Sequence, residues 1–214
     1  MFRKLSGSAL ATFGAAVLIA VPQAAGAADI IINGSFNSDL TGWTIDGGGN
    51  CSYLWSDAAV AGVTGGHARS DAFNVSTCGL YQTVTLPAGS SNLTVSLGTS
   101  SSGSNAADRS SLQIRSTANA VLATLYSRTG DQAVDNVQTR GPYDLSAYAG
   151  QTVRVYFETV HNSAIYTQRI DNVVLDAGAG PAAVPTMSEW AMILLGAILA
   201  GGAALWIQRR RLAA

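Results

Sequence analysis

The chain has 214 residues, 48% of them hydrophobic and only 12% charged, with a formal net charge of −1. That balance gives no reason to expect nucleic-acid binding, which wants a basic patch. The apolar residues are unevenly placed: one apolar run lies near each end, and the polar middle lies between them.

Met1 to Ala27 reads as a secretory signal peptide. Arg3 and Lys4 form a charged start, Ala9 to Val21 is apolar, and Ala25-Gly26-Ala27 offers the small residues a signal peptidase needs. Cleavage is expected after Ala27 or Ala28.

Residues 28–176 are roughly 150 in number, the size of one domain with a sizeable core. From Ala28 to Gly180 there are eleven Asp and Glu158 against seven Arg and no Lys, a net charge of −5. Short stretches alternate apolar and polar residues with a period of two, the pattern of half-buried strands. In chain order these are Ile30–Ile32, Trp43–Ile45, Tyr81–Leu86, Leu93–Leu97, Leu112–Ile114, Val121–Tyr126, Val153–Glu158 and Ile170–Leu175. Turn-forming segments separate them, among them Asp46–Asn50, Pro87–Ser90, Ser100–Asn105 and Thr129–Asp131. The expected fold class is all-β, a single two-sheet sandwich. Cys51 and Cys78 are the only cysteines, and an even count in an exported segment points to a disulfide.

A soft Ala/Gly/Pro linker, residues 177–183, leads to Val184-Pro185-Thr186-Met187-Ser188-Glu189-Trp190. From Trp190 to Ile207 there are 18 residues without a charge. A helix of that length covers roughly 27 Å, near the hydrocarbon thickness of a bilayer. Trp190 and Trp206 stand at its ends, where indoles prefer the membrane–water boundary, and Arg209, Arg210 and Arg211 form a basic stop. Positive charge precedes the first apolar run and follows the second, so both ends favour the cytoplasmic side and the middle is exported. Thr186-x-x-Glu189 also has the form of a helix capping box.

Residues 184–211 resemble the IPTL-CTERM family of bacterial sorting tails, whose pattern is Ile-Pro-Thr-Leu-Ser-Glu-Trp before a membrane helix and a basic cluster. Pro185, Thr186, Ser188, Glu189 and Trp190 match, while Val184 and Met187 replace Ile and Leu with apolar character kept. The resemblance implies an exosortase-like membrane transpeptidase with a thiol nucleophile as partner, cutting near the motif. It also implies an inner-membrane-tethered precursor, delivered to the surface or extracellular matrix of a Gram-negative bacterium.

The middle resembles the galactose-binding-like jelly rolls of carbohydrate-binding modules. The resemblance rests on Ile32–Phe36 with Thr41–Thr44, on Asp144–Val153 and on Ile170–Leu175, in that order. It implies a carbohydrate-binding or adhesion module, with a structural matrix component lacking a discrete ligand, or a secreted hydrolase, as the alternatives. Many such modules hold a structural calcium. Asp171 matches the Asp of the last strand, whereas Asn37 stands where an acid is usual.

Sugar binding calls for an exposed aromatic platform, for which Trp55 and Tyr53 are the main candidates and Tyr81, Tyr143 and Tyr166 lie on or near loops. Trp43 is expected in the core. His67 and His161 are isolated, and no His-Glu-x-x-His or Gly-x-Ser-x-Gly occurs, so no catalytic residue is assigned and no enzyme activity is expected. Glu158, on an alternating strand, is expected on a solvated face.

Overall fold

The computed structural model describes residues 28–48, 51–70, 75–89, 91–102, 105–132, 134–162, 165–178 and 187–212. The signal peptide expected at 1–27, most of the linker and Val184 to Thr186 lie outside the described residues.

Among the described residues, eleven strands precede one α-helix: β1 (Ala28–Asp29), β2 (Thr44–Gly47), β3 (Tyr53–Ser56), β4 (His67–Ser70), β5 (Ser76–Thr85), β6 (Ser91–Ser102), β7 (Arg109–Ser116), β8 (Val121–Thr129), β9 (Asp135–Asp144), β10 (Thr152–His161), β11 (Ile165–Ala177) and α1 (Met187–Leu212). One sheet has the order β3-β4-β11-β6-β9, with β1 also on β11, and the other has the order β2-β5-β10-β7-β8. From β4 to β7, and again from β8 to β11, successive strands alternate between the two sheets. The result is the expected sandwich.

The period-two pattern builds the core directly. Leu93, Val95 and Leu97 of β6, Leu112 and Ile114 of β7, and Val153, Val155 and Phe157 of β10 have no exposed surface. Trp43 joins them, with its ring 5.2 Å from Phe36 and 5.9 Å from Phe157. Burying side chains of this size stabilises by about 1.5–3 kcal/mol each.

Cys51, just ahead of β3, is bridged to Cys78 of β5, so the bond ties the edge of one sheet to the other. Closing a 27-residue separation contributes about 3–4 kcal/mol in the chain-entropy picture.

Two local expectations differ from the structure. Ile30–Ile32 is not a strand; Ile30 N–H donates to the Leu175 carbonyl, and side-chain acceptors take the next two amides, Ile31 N–H donating to Asp29 Oδ1 and Ile32 N–H to Gln82 Oε1. The period-two pattern does not mark β3, β4 or β9. β9 carries Gly141 and Pro142, which break its alternation, and it lies at a sheet edge where proline is tolerated.

Candidate functional site

The loop joining β3 to β4, residues 57–66, shapes a cleft of about 650 Å³. Its walls include Trp55, Asn37, Asp57, Val60, Val63 and Gly66. Trp55 is 37% exposed, and its Nε1–H donates inward to the carbonyl of Phe36 at 2.7 Å. The polar edge of the indole is thereby satisfied within the protein, which orients the ring beside the cleft. Gly66 permits this approach, because a Cβ there would fall on Trp55 Nε1 and on the Phe36 carbonyl oxygen.

Phe36 itself has a φ of 44°, a left-handed conformation that costs a bulky residue about 1–2 kcal/mol. Its complete burial against Trp43 and the bond from Trp55 hold it there. The neighbouring Asn37 is thus presented at the cleft by a backbone that the core fixes. Its Nδ2 donates to Ser35 Oγ at 3.0 Å. Asp57 is exposed, and among the described residues its carboxylate has no hydrogen-bond or ion-pair partner. The loop is pinned further along, where Thr64 N–H donates to Asp171 Oδ2 at 3.4 Å.

The structure separates the two leading aromatic candidates. Tyr53 is 2% exposed, and its hydroxyl donates to Gln168 Oε1 at 2.7 Å and lies 3.0 Å from Thr159 Oγ1. Burial pushes its hydroxyl pKa far up. Tyr53 and Trp55 share a strand face, but Tyr53 lies deep between the sheets and cannot meet a ligand, so that assignment is corrected. Tyr166 is 1% exposed and is removed for the same reason. Tyr81 stacks on Tyr156 at 5.7 Å, and guanidinium groups cap both rings: Arg154 over Tyr81 at 4.4 Å and Arg115 over Tyr156 at 3.6 Å. Tyr143 is half-buried against the core.

Asp171 and Asn37 do not form a calcium cradle. Asp171 is fully buried; Asn172 N–H donates to its Oδ1 at 2.7 Å, and Asn172 Nδ2 and Thr64 N–H donate to its Oδ2. Burial raises its pKa, with the backbone amides of Asn172 and Thr64 opposing. A calcium ion wants about six to eight oxygen ligands, and N–H donors already take three of the roughly four lone-pair sites on the Asp171 carboxylate, so the residues as arranged do not fit the ion. Among the described residues no group of three or more His, Cys, Asp or Glu could hold a metal.

Glu158 is also corrected. It is 7% exposed, with Arg109 Nη2 at 2.9 Å and Arg115 Nη2 at 2.5 Å. Burial would push its carboxyl up, but the two guanidinium donors outweigh that and hold it below its ordinary value. Its outward-facing strand position is right; the long side chains of β7 cover it. His67 is completely buried, and among the described residues neither ring nitrogen has a hydrogen-bond partner. Burial, then the charges of Arg169 and Arg69, lower its pKa.

At the other end of the chain, α1 runs for 26 residues, and Met192–Leu212 contains an 18-residue stretch with a mean hydropathy of 1.5, none of it buried. Exposed on it are Met192, Ile193, Leu194, Leu195, Ile198 and Leu199. By length and composition the helix can cross a membrane. Arg209, Arg210 and Arg211 occupy its last turn, where cations complement the helix dipole, and the Arg210 guanidinium lies 4.0 Å from the ring centre of Trp206. Residues 182–211 match the IPTL-CTERM motif.

The helix therefore begins within the IPTL-CTERM motif, at Met187, three residues before the expected Trp190, and it continues through the arginines. The motif residues Met187, Ser188, Glu189 and Trp190 lie on its first turn, which joins the polar address to the apolar span as one element. The capping partner expected at Thr186 lies outside the described residues.

No curated protein matches the chain in sequence. Among solved structures it is similar to the K3 cleaved adhesin domain of Lys-gingipain from Porphyromonas gingivalis W83, with 13% identity and a TM-score of 0.48 over 69% of this chain and 98% of that one. It is similar to TmCBM61, solved in complex with β-1,4-galactotriose, with 12% identity and a TM-score of 0.46 over 69% of this chain and 97% of that one. A further match is the enzymatically active domain of tailspike protein 4 from bacteriophage CBA120, with 13% identity and a TM-score of 0.43. There the match covers 69% of this chain and only 21% of that one. These likenesses concern the fold alone.

Proposed function

We propose that this protein is an exported, surface-sorted binding module rather than an enzyme. Its C-terminal helix tethers the precursor in the inner membrane of a Gram-negative bacterium with Arg209–Arg211 on the cytoplasmic side. An exosortase-like transpeptidase then acts at Val184–Trp190 and passes the sandwich to the cell surface or extracellular matrix. There the domain binds extracellular polysaccharide in the cleft beside Trp55.

The observation that carries the binding reading is the half-open indole of Trp55, locked by its bond to the Phe36 carbonyl and bordered by the Asp57 carboxylate, which has no partner among the described residues. A fixed apolar ring face next to polar groups suits a pyranose, whose C–H face packs on an aromatic while its hydroxyls find acceptors. Pre-organisation lowers the entropy lost on binding.

The test is affinity electrophoresis or retention of the full-length chain, held in detergent, on immobilised polysaccharides. Trp55→Ala should weaken retention by about tenfold or more, roughly 1.4 kcal/mol. No retention of the unsubstituted protein on a broad panel would remove the binding role.

A further inference from the structure

We infer that the Trp55 cleft selects an N-acetylated amino sugar and rejects uronic acids. This rests on the polysaccharide reading above and specifies the chemistry of the residue recognised.

Three kinds of surface meet in the cleft. The first is the indole of Trp55; because its N–H is spent on Phe36, what it offers a ligand is an apolar face. The second is acceptor-rich: the Asp57 carboxylate, which has no partner among the described residues, and the Asn37 amide, one of whose N–H bonds goes to Ser35. The third is an aliphatic wall made by Val60 and Val63, both half-buried. Among the described residues, no Arg, Lys or His lines the cleft.

These surfaces discriminate between sugars by their substituents. A uronate would bring its negative charge against Asp57 with no cation alongside, and like charges brought together at a binding site are a strong ground for rejection. The domain's net charge of −5 adds a longer-range repulsion. A plain hexose would pack on Trp55 and donate hydroxyls to Asp57, but it would leave the valines without an apolar partner. A free amine would pair with Asp57 and would likewise leave the valines unused. An acetamido group has both complements on one substituent: an N–H that a carboxylate accepts, and a methyl that an aliphatic wall removes from water. The ring carrying it retains a C–H face for the indole.

The experiment titrates the full-length chain in detergent, by calorimetry, with matched sugars. Oligomers of β-1,4-linked N-acetylglucosamine are compared with their deacetylated and glucose counterparts. N-acetylgalactosamine is compared with galactose and with galacturonate. The expected result is at least tenfold tighter binding of the acetamido member in one of the two series, with galacturonate at least tenfold weaker than galactose. Asp57→Asn, an exposed substitution, should weaken the acetamido ligand severalfold and remove most of the discrimination against galacturonate. Equal affinity for acetamido and plain sugars, or tighter binding of the amine or the uronate, would overturn this inference. If Trp55→Ala still abolished that binding, the polysaccharide reading would stand. Absence of binding by every sugar would overturn both.

Discussion

His67 shows how one side chain can carry a pH dependence with no role in binding. Its imidazole is fully buried with no hydrogen-bond partner among the described residues, and its pKa lies below 6.5 because burial, Arg169 and Arg69 all oppose the cation. The fold therefore favours the neutral ring. Its contribution to stability is complete above about pH 6.5 and declines as the pH falls below that value, where the unfolded chain takes up the proton more readily. Asp171 has the opposite behaviour in a lower range, since its raised pKa makes the folded state favour the neutral acid. Thermal melts at pH 7 and pH 5 should show a fall in Tm for the unsubstituted protein and a smaller fall for His67→Leu. Equal falls in the two proteins would show that His67 is not the titrating group.

At the scale of elements, the outer face of the sheet holding β10 and β7 is less a solvated surface than a second packed layer. Glu158, Gln113, Arg115 and Tyr156 are each under 10% exposed there. Arg115 Nε donates to Gln113 Oε1 at 2.7 Å, Gln113 Nε2 donates to Ser111 Oγ at 2.8 Å, and the Tyr156 hydroxyl donates to Asp46 Oδ2 at 3.0 Å. Replacing Glu158 by Gln would leave a buried guanidinium without its counter-charge, and the expected loss is about 3 kcal/mol, read from urea unfolding. Because the Glu158 pKa is lowered, its stabilising contribution is present above about pH 4.5 and is lost as the pH falls further. The inward half of each of these strands was legible from alternation, since Val153, Val155 and Phe157 can satisfy themselves only in a core. The burial of the outward half was not, because it depends on which long side chains the neighbouring strands bring alongside. The same reason separates Tyr53 from Trp55. Two aromatics on one strand face look alike in sequence, and only the strand's position at the sheet edge puts one inside and the other at the lip.

For the whole molecule, the sandwich and the tail are distinct in solvent preference. The sandwich closes its own core, while α1 leaves its apolar residues uncovered. If the tail is a sorting address, its polar motif should matter independently of the sandwich. Pro185→Ala with Glu189→Ala should leave the melting temperature of the sandwich unchanged, yet should abolish the mass change of processing and leave the protein in the inner membrane. Intact mass spectrometry with cell fractionation measures both. Normal processing of the doubly substituted protein would show that the motif is not read.

The membrane-capable helix, the sorting motif, the alternating core strands and the cysteine pair were all determined by sequence alone. Each is a local pattern whose physical consequence, a partition into lipid, an inward strand face or a cross-link in an oxidising compartment, needs no knowledge of neighbours. The tertiary structure decided the rest: the burial of Tyr53, the pairing of Glu158, the amides that occupy Asp171, and the cleft that brings Asn37 and Asp57 to Trp55. These depend on contacts between residues distant in the chain. Whether a polar or aromatic group meets solvent, a partner or a ligand is settled only when the sheets close over it.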